Sequence, residues 1–377
     1  MSYMLPAPLR TLKRVLRRRV WLFDRPSPAK IANLVLSLFE YSLGLRRLAS
    51  MPYTVKIDIS PLCGLRCPTC LHADHTGTEK PLLEAQTFHK SDKMSVADFS
   101  NVIDQIKGKT QAVILYYFGD PLMHPNLSEL CGIARAAGLG VHMTSHFSYN
   151  LSDDRIAKLA TCGVTHLTVA VDGAAQEIYS ISRVGGRLDW VLSNLRRICA
   201  FKLRHGLRYP VVEVQYIRHP HHRPEEERLV RQLARTCGVD KFTRIQNYKF
   251  ANVVDEDIEK FDIGAGHKKG LLPKCVLPYT HTVIKYNGDV IPCCNHRAGR
   301  QYAKLGDEAI AGNIFNQPFG EIWNNEAYQD MRRLVTDPTA LDRDASLKKS
   351  FCYGCPVVVA RTAKADESLP IRQPLPT

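Results

Sequence analysis

The sequence predicts an α/β protein: a partial (β/α)6 TIM barrel, with a small α+β domain behind it and a helical extension in front. Three observations carry this. Between Pro52 and about Tyr248, short β-branched runs alternate with longer helical patterns, the signature of parallel βα units. Beyond residue 270 the pattern changes to two apolar runs around Asn287-Gly288, a strong hairpin signal. Residues 9–23 interleave bases with apolar residues, residues 29–45 form a second, more apolar helical stretch, and Pro26 and Pro28 break the two apart.

Six strands are expected: Val55 to Ser60, Ala112 to Phe118, Val141 to Phe147, His166 to Val171, Val212 to His219 and Phe242 to Tyr248. Between them, helical periodicity runs over Val96 to Lys107, Leu127 to Ala137, Asp153 to Ala160, Trp190 to Lys202 and Glu225 to Thr236. A barrel of this kind places its site at the C-terminal ends of its strands. The expected division is residues 1–50, 51–250, 251–363 and a Pro-rich tail, 364–377.

With 377 residues, 45% of them apolar, the chain has ample material for a buried core. Twelve cysteines are too sparse for a disulfide-stapled secreted scaffold, and C-x-x-C groupings point to metal ligation in a reducing compartment. The expected location is the cytoplasm, with peripheral contact at the inner membrane surface as an extension of it. Of the net charge of +14, residues 1–50 carry +8, ten bases against Asp24 and Glu40. The uncharged run Ile31 to Phe39 is far below the roughly 20 residues needed to span a bilayer. The basic front, with Trp21 and Phe23 at its margin, either lies on an anionic lipid surface or packs over the barrel bottom. An organellar presequence is a minority reading of the same residues. Nucleic acid is disfavoured, because only those two aromatics interleave with the bases.

The most informative residues follow the first predicted strand: Cys63-Gly-Leu-Arg-Cys67-Pro-Thr-Cys70. Three thiolates hold three irons of a cubane and leave the fourth, normally closed by a fourth cysteine, for a ligand that is not protein. A zinc site, completed by His72 or His75, is the alternative use of the triplet.

The C-x3-C-x2-C spacing at the end of a first strand resembles the radical S-adenosylmethionine (SAM) superfamily, in which the open iron takes the amino and carboxylate groups of SAM. Phe118-Gly119-Asp120-Pro121 is similar to that family's Gly-Gly-Glu-Pro segment, departing from it at Phe118 and Asp120. The resemblance implies SAM contacts from Gly119, Asp120 and Pro121. Thr144-Ser145-His146 is similar to the Thr-Asn-Gly segment near the ribose, with both later positions changed. Asp172-Gly173 followed by Tyr179, Arg183 and Gly185-Gly186 resembles a pattern of one branch of the superfamily, which nominates Asp172, and Arg183 for the SAM carboxylate. Glu213 and Gln215 share one face of strand five, and Gln215 joins the cofactor candidates. Tyr116, Tyr117, Asp120 and Glu213 are candidates for a general base by strand position. The polar stretch Thr76 to Lys93 reads equally as a mobile cover over the site or a passive surface loop.

Cys275, Cys293, Cys352 and Cys355 form a second group, with Cys294 a rival to Cys293. With Gly312-Asn-Ile-Phe315 and Phe319-Gly-Glu-Ile-Trp-Asn324, this region resembles SPASM or Twitch domains, which implies an auxiliary 4Fe-4S cluster. Five cysteines here imply one auxiliary cluster; zinc-ribbon ligation is the alternative. Cys131, Cys162, Cys199 and Cys237 read as core thiols.

The resemblance implies reductive cleavage of SAM to a 5'-deoxyadenosyl radical, with a partner such as flavodoxin or ferredoxin as electron donor. That radical takes a hydrogen atom from substrate, and oxidation of the substrate radical through the auxiliary cluster is expected, as dehydrogenase or maturase chemistry. The substrate is a small molecule, a sugar or lipid-linked compound, or a peptide. A peptide- or protein-modifying maturase is the second reading, and a non-enzymatic zinc-stabilised nucleic-acid-binding protein is the alternative of another class.

Overall fold

The computed structural model describes residues 24–68, 70, 89–219, 221–246, 273, 275–293, 310–353 and 358. Trp21, Phe23, Cys294, Cys355, the tail and most of Thr76 to Lys93 lie outside these residues.

The barrel strands are β1 (Thr54–Ile57), β2 (Ala112–Ile114), β3 (Gly140–Ser145), β4 (His166–Ala170), β5 (Val211–Arg218) and β6 (Lys241–Gln246). Helices α2 (Val96–Ile106), α3 (Leu127–Ala136), α4 (Asp153–Thr161), α5 (Gln176–Ser182), α6 (Leu188–Arg204) and α7 (Glu226–Thr236) connect them, and α1 (Pro28–Leu43) precedes them. The sequence reading finds all of these but α5, whose seven residues are too few to show a helical period. Serine caps start several helices: Ser95 and Ser152 accept hydrogen bonds from the amides of Asp98 and Arg155.

The sheet order is β6-β5-β4-β3-β2-β1-β7-β8-β9, where β7 (His281–Ile284), β8 (Asp289–Ile291) and β9 (Gly312–Asn313) come from the C-terminal region. All six barrel strands pair in parallel, and β7 adds a seventh parallel strand beside β1, in the register Thr54↔His281 to Ile57↔Ile284. The expected hairpin forms around Gly288, whose φ of +86° requires glycine, and it turns β8 antiparallel to β7. The C-terminal cysteine region is thus continuous with the barrel's sheet.

Alternation divides the strands into two faces. Val55, Ile57, Val113, Leu115, Val141, Met143, Val169 and Val214 join the main apolar core beneath the helices. Lys56, Tyr116, His142, Thr144, His166 and Glu213 therefore face the barrel interior. Helix α1 closes the bottom, at the N-terminal ends of the strands. Lys30 Nζ donates to the Gly138 carbonyl at 2.7 Å, Asn33 Nδ2 to those of Met51 and Lys109, and Ser37 Oγ to that of Tyr279 at 2.8 Å. Of the two placements expected for the basic front, this part of it packs over the barrel bottom.

Helices α8 (Leu277–Thr280), α9 (Phe319–Trp323) and α10 (Glu326–Thr336) pack around β7 and β8. Arg332 of α10 is fully buried, with no carboxylate partner among the described residues. Its guanidinium donates instead to the carbonyls of Pro278, Arg46 and Trp323, and lies 4.7 Å from the Trp323 ring and 5.4 Å from that of Tyr328. Burial lowers its pKa to about 10. These bonds tie the C-terminal region to the chain just behind α1. Replacing Arg332 by Met should lower stability by about 2–4 kcal/mol by stranding those carbonyls. Urea denaturation should show this as a lower midpoint with unchanged slope.

Candidate active site

The cysteine triplet lies in the loop that leaves the C-terminal end of β1, and its neighbours are pinned by backbone bonds. The Asp120 amide donates to the Leu62 carbonyl at 2.8 Å, and the Arg66 amide to that of Val184 at 3.0 Å. The end of β2 and the Arg183-Val184-Gly185-Gly186 loop therefore hold the triplet from two sides. Gly119 makes the first approach feasible: a Cβ there would lie 2.3 Å from the Ser60 carbonyl oxygen and 2.4 Å from that of Leu62. Gly173 serves a similar purpose, because its Cβ would meet the Tyr179 amide nitrogen at 2.5 Å.

Asp120 is buried and fully engaged. One carboxylate oxygen accepts from the Leu122 amide, capping the short 3-10 turn Pro121–Met123, and the other from Ser145 Oγ at 2.8 Å and the His146 amide at 2.9 Å. This couples the β2 and β3 segments. Thr144 Oγ1, one residue earlier on the interior face, is buried without a hydrogen-bond partner among the described residues.

Asp172, past β4, accepts from the Ile217 amide at 2.8 Å and from Arg183 Nε at 2.8 Å and NH2 at 2.6 Å. Burial alone would raise the Asp172 carboxyl, but the Arg183 guanidinium and His219 hold it below the ordinary carboxylate range. Burial pushes the Cys63 thiol up to about 12. Burial also raises the Cys67 thiol, and the Arg183 guanidinium offsets part of that rise. Without metal these two thiols stay neutral near pH 7, so ligation must release their protons.

Thus Cys63, Cys67, Gly119, Asp120, Pro121, Ser145, Asp172 and Arg183 come together at one end of the barrel, with Thr144 just inside. Glu213 does not join them. It sits near the N-terminal end of β5, where its carboxylate accepts from His166 Nε2 at 2.6 Å and Lys241 Nζ at 3.0 Å. Burial would raise the Glu213 carboxyl, yet hydrogen bonds from His166 and Thr243 and the Lys241 charge bring it to about 2. At that value it is a weak base. Gln215 is partly exposed and pairs in register with Ala170.

A polar row that the sequence reading passed over runs inward from Glu213: the His166 ring lies 5.0 Å from His142, and His142 lies 6.0 Å from Tyr116. Lys56 Nζ is 4.5 Å from the Tyr116 ring centre. Tyr117, whose ring is 5.7 Å from the same Lys56 Nζ, packs with Phe118, Val283 and Ile291. The row's signal was present as histidines at the polar positions of two alternating strands.

The described members of the second cysteine group gather against the main core: Cys352 is buried in it, and Cys275 and Cys293 pack on it. Among the described residues no three His, Cys, Asp or Glu side chains gather tightly enough to hold a single metal ion. Thiolates on separate irons of a cubane need no such convergence. Cys131, Cys199 and Cys237 are buried, and Cys162 packs against the same core.

Residues 57–232 match the radical SAM superfamily, and residues 275–356 match SPASM, an iron-sulfur cluster-binding domain. The chain belongs to the radical SAM superfamily. This radical SAM protein is 22% identical over 353 residues to the AdoMet-dependent heme synthase of Methanosarcina barkeri, covering 82% of the present chain and 92% of the relative. It is 27% identical over 148 residues to the GTP 3',8-cyclase of Chlorobaculum tepidum, covering 39% and 41% of the two chains. Its fold is similar to Streptococcus suis SuiB bound to its precursor peptide SuiA, with a TM-score of 0.56 at 13% identity over 87% of this chain and 72% of that one. The two domains imply 4Fe-4S clusters and SAM. The residues present fit them: three free thiols in the loop after β1, and on the interior face of β3 a buried Thr144 hydroxyl with no partner among the described residues.

Two outcomes test this geometry. Gly119→Ala should push the end of β2 off the triplet loop, so iron content after anaerobic reconstitution falls well below wild type while far-ultraviolet circular dichroism is retained. The Glu213 carboxyl is lower in the folded state than its ordinary 4.5, so it stabilises the fold above about pH 4.5 and loses that effect as pH falls toward 2. Glu213→Gln should therefore cost about 2 kcal/mol at pH 7 in urea denaturation, with the gap to wild type shrinking below pH 4.5.

Proposed function

We propose that this radical SAM protein is an oxidoreductase that takes a hydrogen atom from a substrate held in the barrel and passes the remaining electron to an auxiliary cluster. The observation that carries this reading is the pairing of β1 with β7. Cys63 follows the C-terminal end of β1. Cys275 precedes β7, which runs parallel to β1, and Cys293 follows β8, which runs antiparallel. The two cysteine groups therefore lie toward opposite ends of the same strands, separated by at least the rise of β1, roughly 10 Å. A substrate in the interior sits between them.

When bound, the SAM-linked cluster supplies a 5'-deoxyadenosyl radical and the auxiliary cluster an electron acceptor, with flavodoxin or ferredoxin as the expected donor. The protein's own residues bind and orient. Asp172 holds the Arg183 guanidinium beside Cys67, where it offers positive charge to the SAM carboxylate. Thr144 offers a hydroxyl on the β3 side. Removing an electron from a carbon radical releases a proton, and His166, backed by Glu213, is the group in the polar row suited to take it.

For the substrate, likeness to SuiB, solved with a precursor peptide, supports a peptide, and likeness to a heme synthase supports a small molecule. The interior cations Lys56 and Lys241 suit either.

Iron analysis and electron paramagnetic resonance of anaerobically reconstituted protein test the reading. About eight irons per chain, with a reduced signal that shifts on adding SAM, are expected. Zinc in place of iron, or iron indifferent to SAM, would overturn it. Cys63→Ala should abolish 5'-deoxyadenosine formation, whereas Cys352→Ala should retain it with fewer irons; equal loss in both would argue against separate roles.

A further inference from the structure

Helix α1 buries its charges beside Leu34 and Tyr41 and exposes a second apolar face. A surface helix ordinarily turns its charges to water and its apolar stripe to the core. In α1 the only two charged residues, Lys30 and Glu40, are buried along with Asn33 and Ser37. Lys30 is satisfied by the Gly138 carbonyl, and Glu40 by the amides of Ala49 and Ser50 and the Ser50 hydroxyl. The outward face instead carries Ile31, Val35, Leu36, Phe39 and Leu43, with Val35, Phe39 and Leu43 exposed by 62%, 58% and 57%. Leu45 extends the stripe beyond the Gly44 cap. Single exposed apolar residues need no explanation, but a continuous stripe on one helix marks a contact surface.

The surroundings identify the contact. α1 crosses the barrel bottom, from Gly138 before β3 to Tyr279 before β7, so its outer face points away from the cysteine triplet at the opposite end. Exposed cations flank the stripe: Arg25 before the helix, and Arg46 and Arg47 after it. Lys107 and Lys109 precede β2 at the same end, and Leu203, 86% exposed, with Arg204 and Arg208 precedes β5. No carboxylate on α1 faces outward. The preceding sequence adds Arg10, Lys13, Arg14, Arg17, Arg18 and Arg19. An apolar stripe ringed by cations is complementary to an anionic bilayer surface, where side chains enter the acyl boundary and bases meet headgroups. No helix among the described residues is long and apolar enough to cross a membrane.

We infer that the outer face of α1 docks the protein, barrel bottom first, on an anionic lipid surface. The SAM end of the barrel then faces the aqueous phase. That orientation presents the site to a water-borne substrate rather than to one embedded in the bilayer.

Flotation of the reconstituted full-length protein with vesicles tests this, using phosphatidylcholine mixed with phosphatidylglycerol or phosphatidylcholine alone. Wild type should float with the anionic vesicles, less so at high salt, and remain below with the neutral ones. Val35→Glu/Phe39→Glu should lower the bound fraction about tenfold or more. Its iron content and 5'-deoxyadenosine yield should match wild type, since neither residue touches the site. Phe39→Ser, which adds no charge, should show a smaller loss and serves if the double variant does not fold. Equal flotation of wild type and variants would overturn the inference, as would wild type failing to float. A wild-type dimer in light scattering, dissociated by Val35→Glu/Phe39→Glu and indifferent to vesicles, would assign the face to a second copy instead.

Discussion

Strand β1 is the constraint on which this molecule depends. It is hydrogen-bonded along both edges, to β2 and to β7, while Val55 and Ile57 anchor it in the core with no exposed surface. Asp58 extends the clamp one residue further. Its amide donates to the Ile284 carbonyl at 2.8 Å, and its carboxylate accepts from the amides of Tyr117 and Phe118. A buried residue whose carboxylate holds one flanking backbone and whose amide holds the other permits little sliding of β2 or β7. The triplet follows within a few residues, so the loop that presents three thiols is held by the stiffest part of the sheet.

The same stiffness organises the chemistry. Two cysteine groups attached through mobile linkers would present varying separations, whereas here Cys63, Cys275 and Cys293 all flank neighbouring strands of one sheet. The ion pair between Asp172 and Arg183 adds a lateral brace. It joins the end of β4 to the glycine loop that receives the Arg66 amide, and the Ile217 amide adds β5 to the same carboxylate. Four segments distant in sequence thus share one set of hydrogen bonds around the cysteines. Buried polar contacts of this kind favour a single geometry over near alternatives, at a cost in desolvation that the pairing offsets.

Much of this was legible in the sequence, where information is local. Strand and helix positions follow from periodicities of two and 3.6, and the observed ends fall close to the expected ones except in β2, which stops at Ile114 rather than Phe118. The irregular backbone beyond it bends to meet Asp58 and the triplet loop, a non-local demand. The cysteines were legible because their spacing is itself the signal. What escaped were relations between distant residues. His281-Thr-Val-Ile284 reads as half of a hairpin, and nothing in those four residues says that its other edge joins β1. His142 and His166 are unremarkable until two strands align them. The composition of α1 showed an amphipathic segment, but which side packs inward depended on acceptors at Gly138 and Tyr279.

Among the described residues, the sheet runs from β6 to the two-residue β9 without closing on itself. A closed barrel admits substrate only through its mouth, which limits both its size and its angle of approach. Along β6, the half-exposed Arg244, paired with Glu227, places charge on the margin, which discourages another strand from adding there. A sheet left open at its edge strands would lift the limit that a mouth imposes, since an extended substrate would need only one reactive carbon inside while the rest of its length stayed outside.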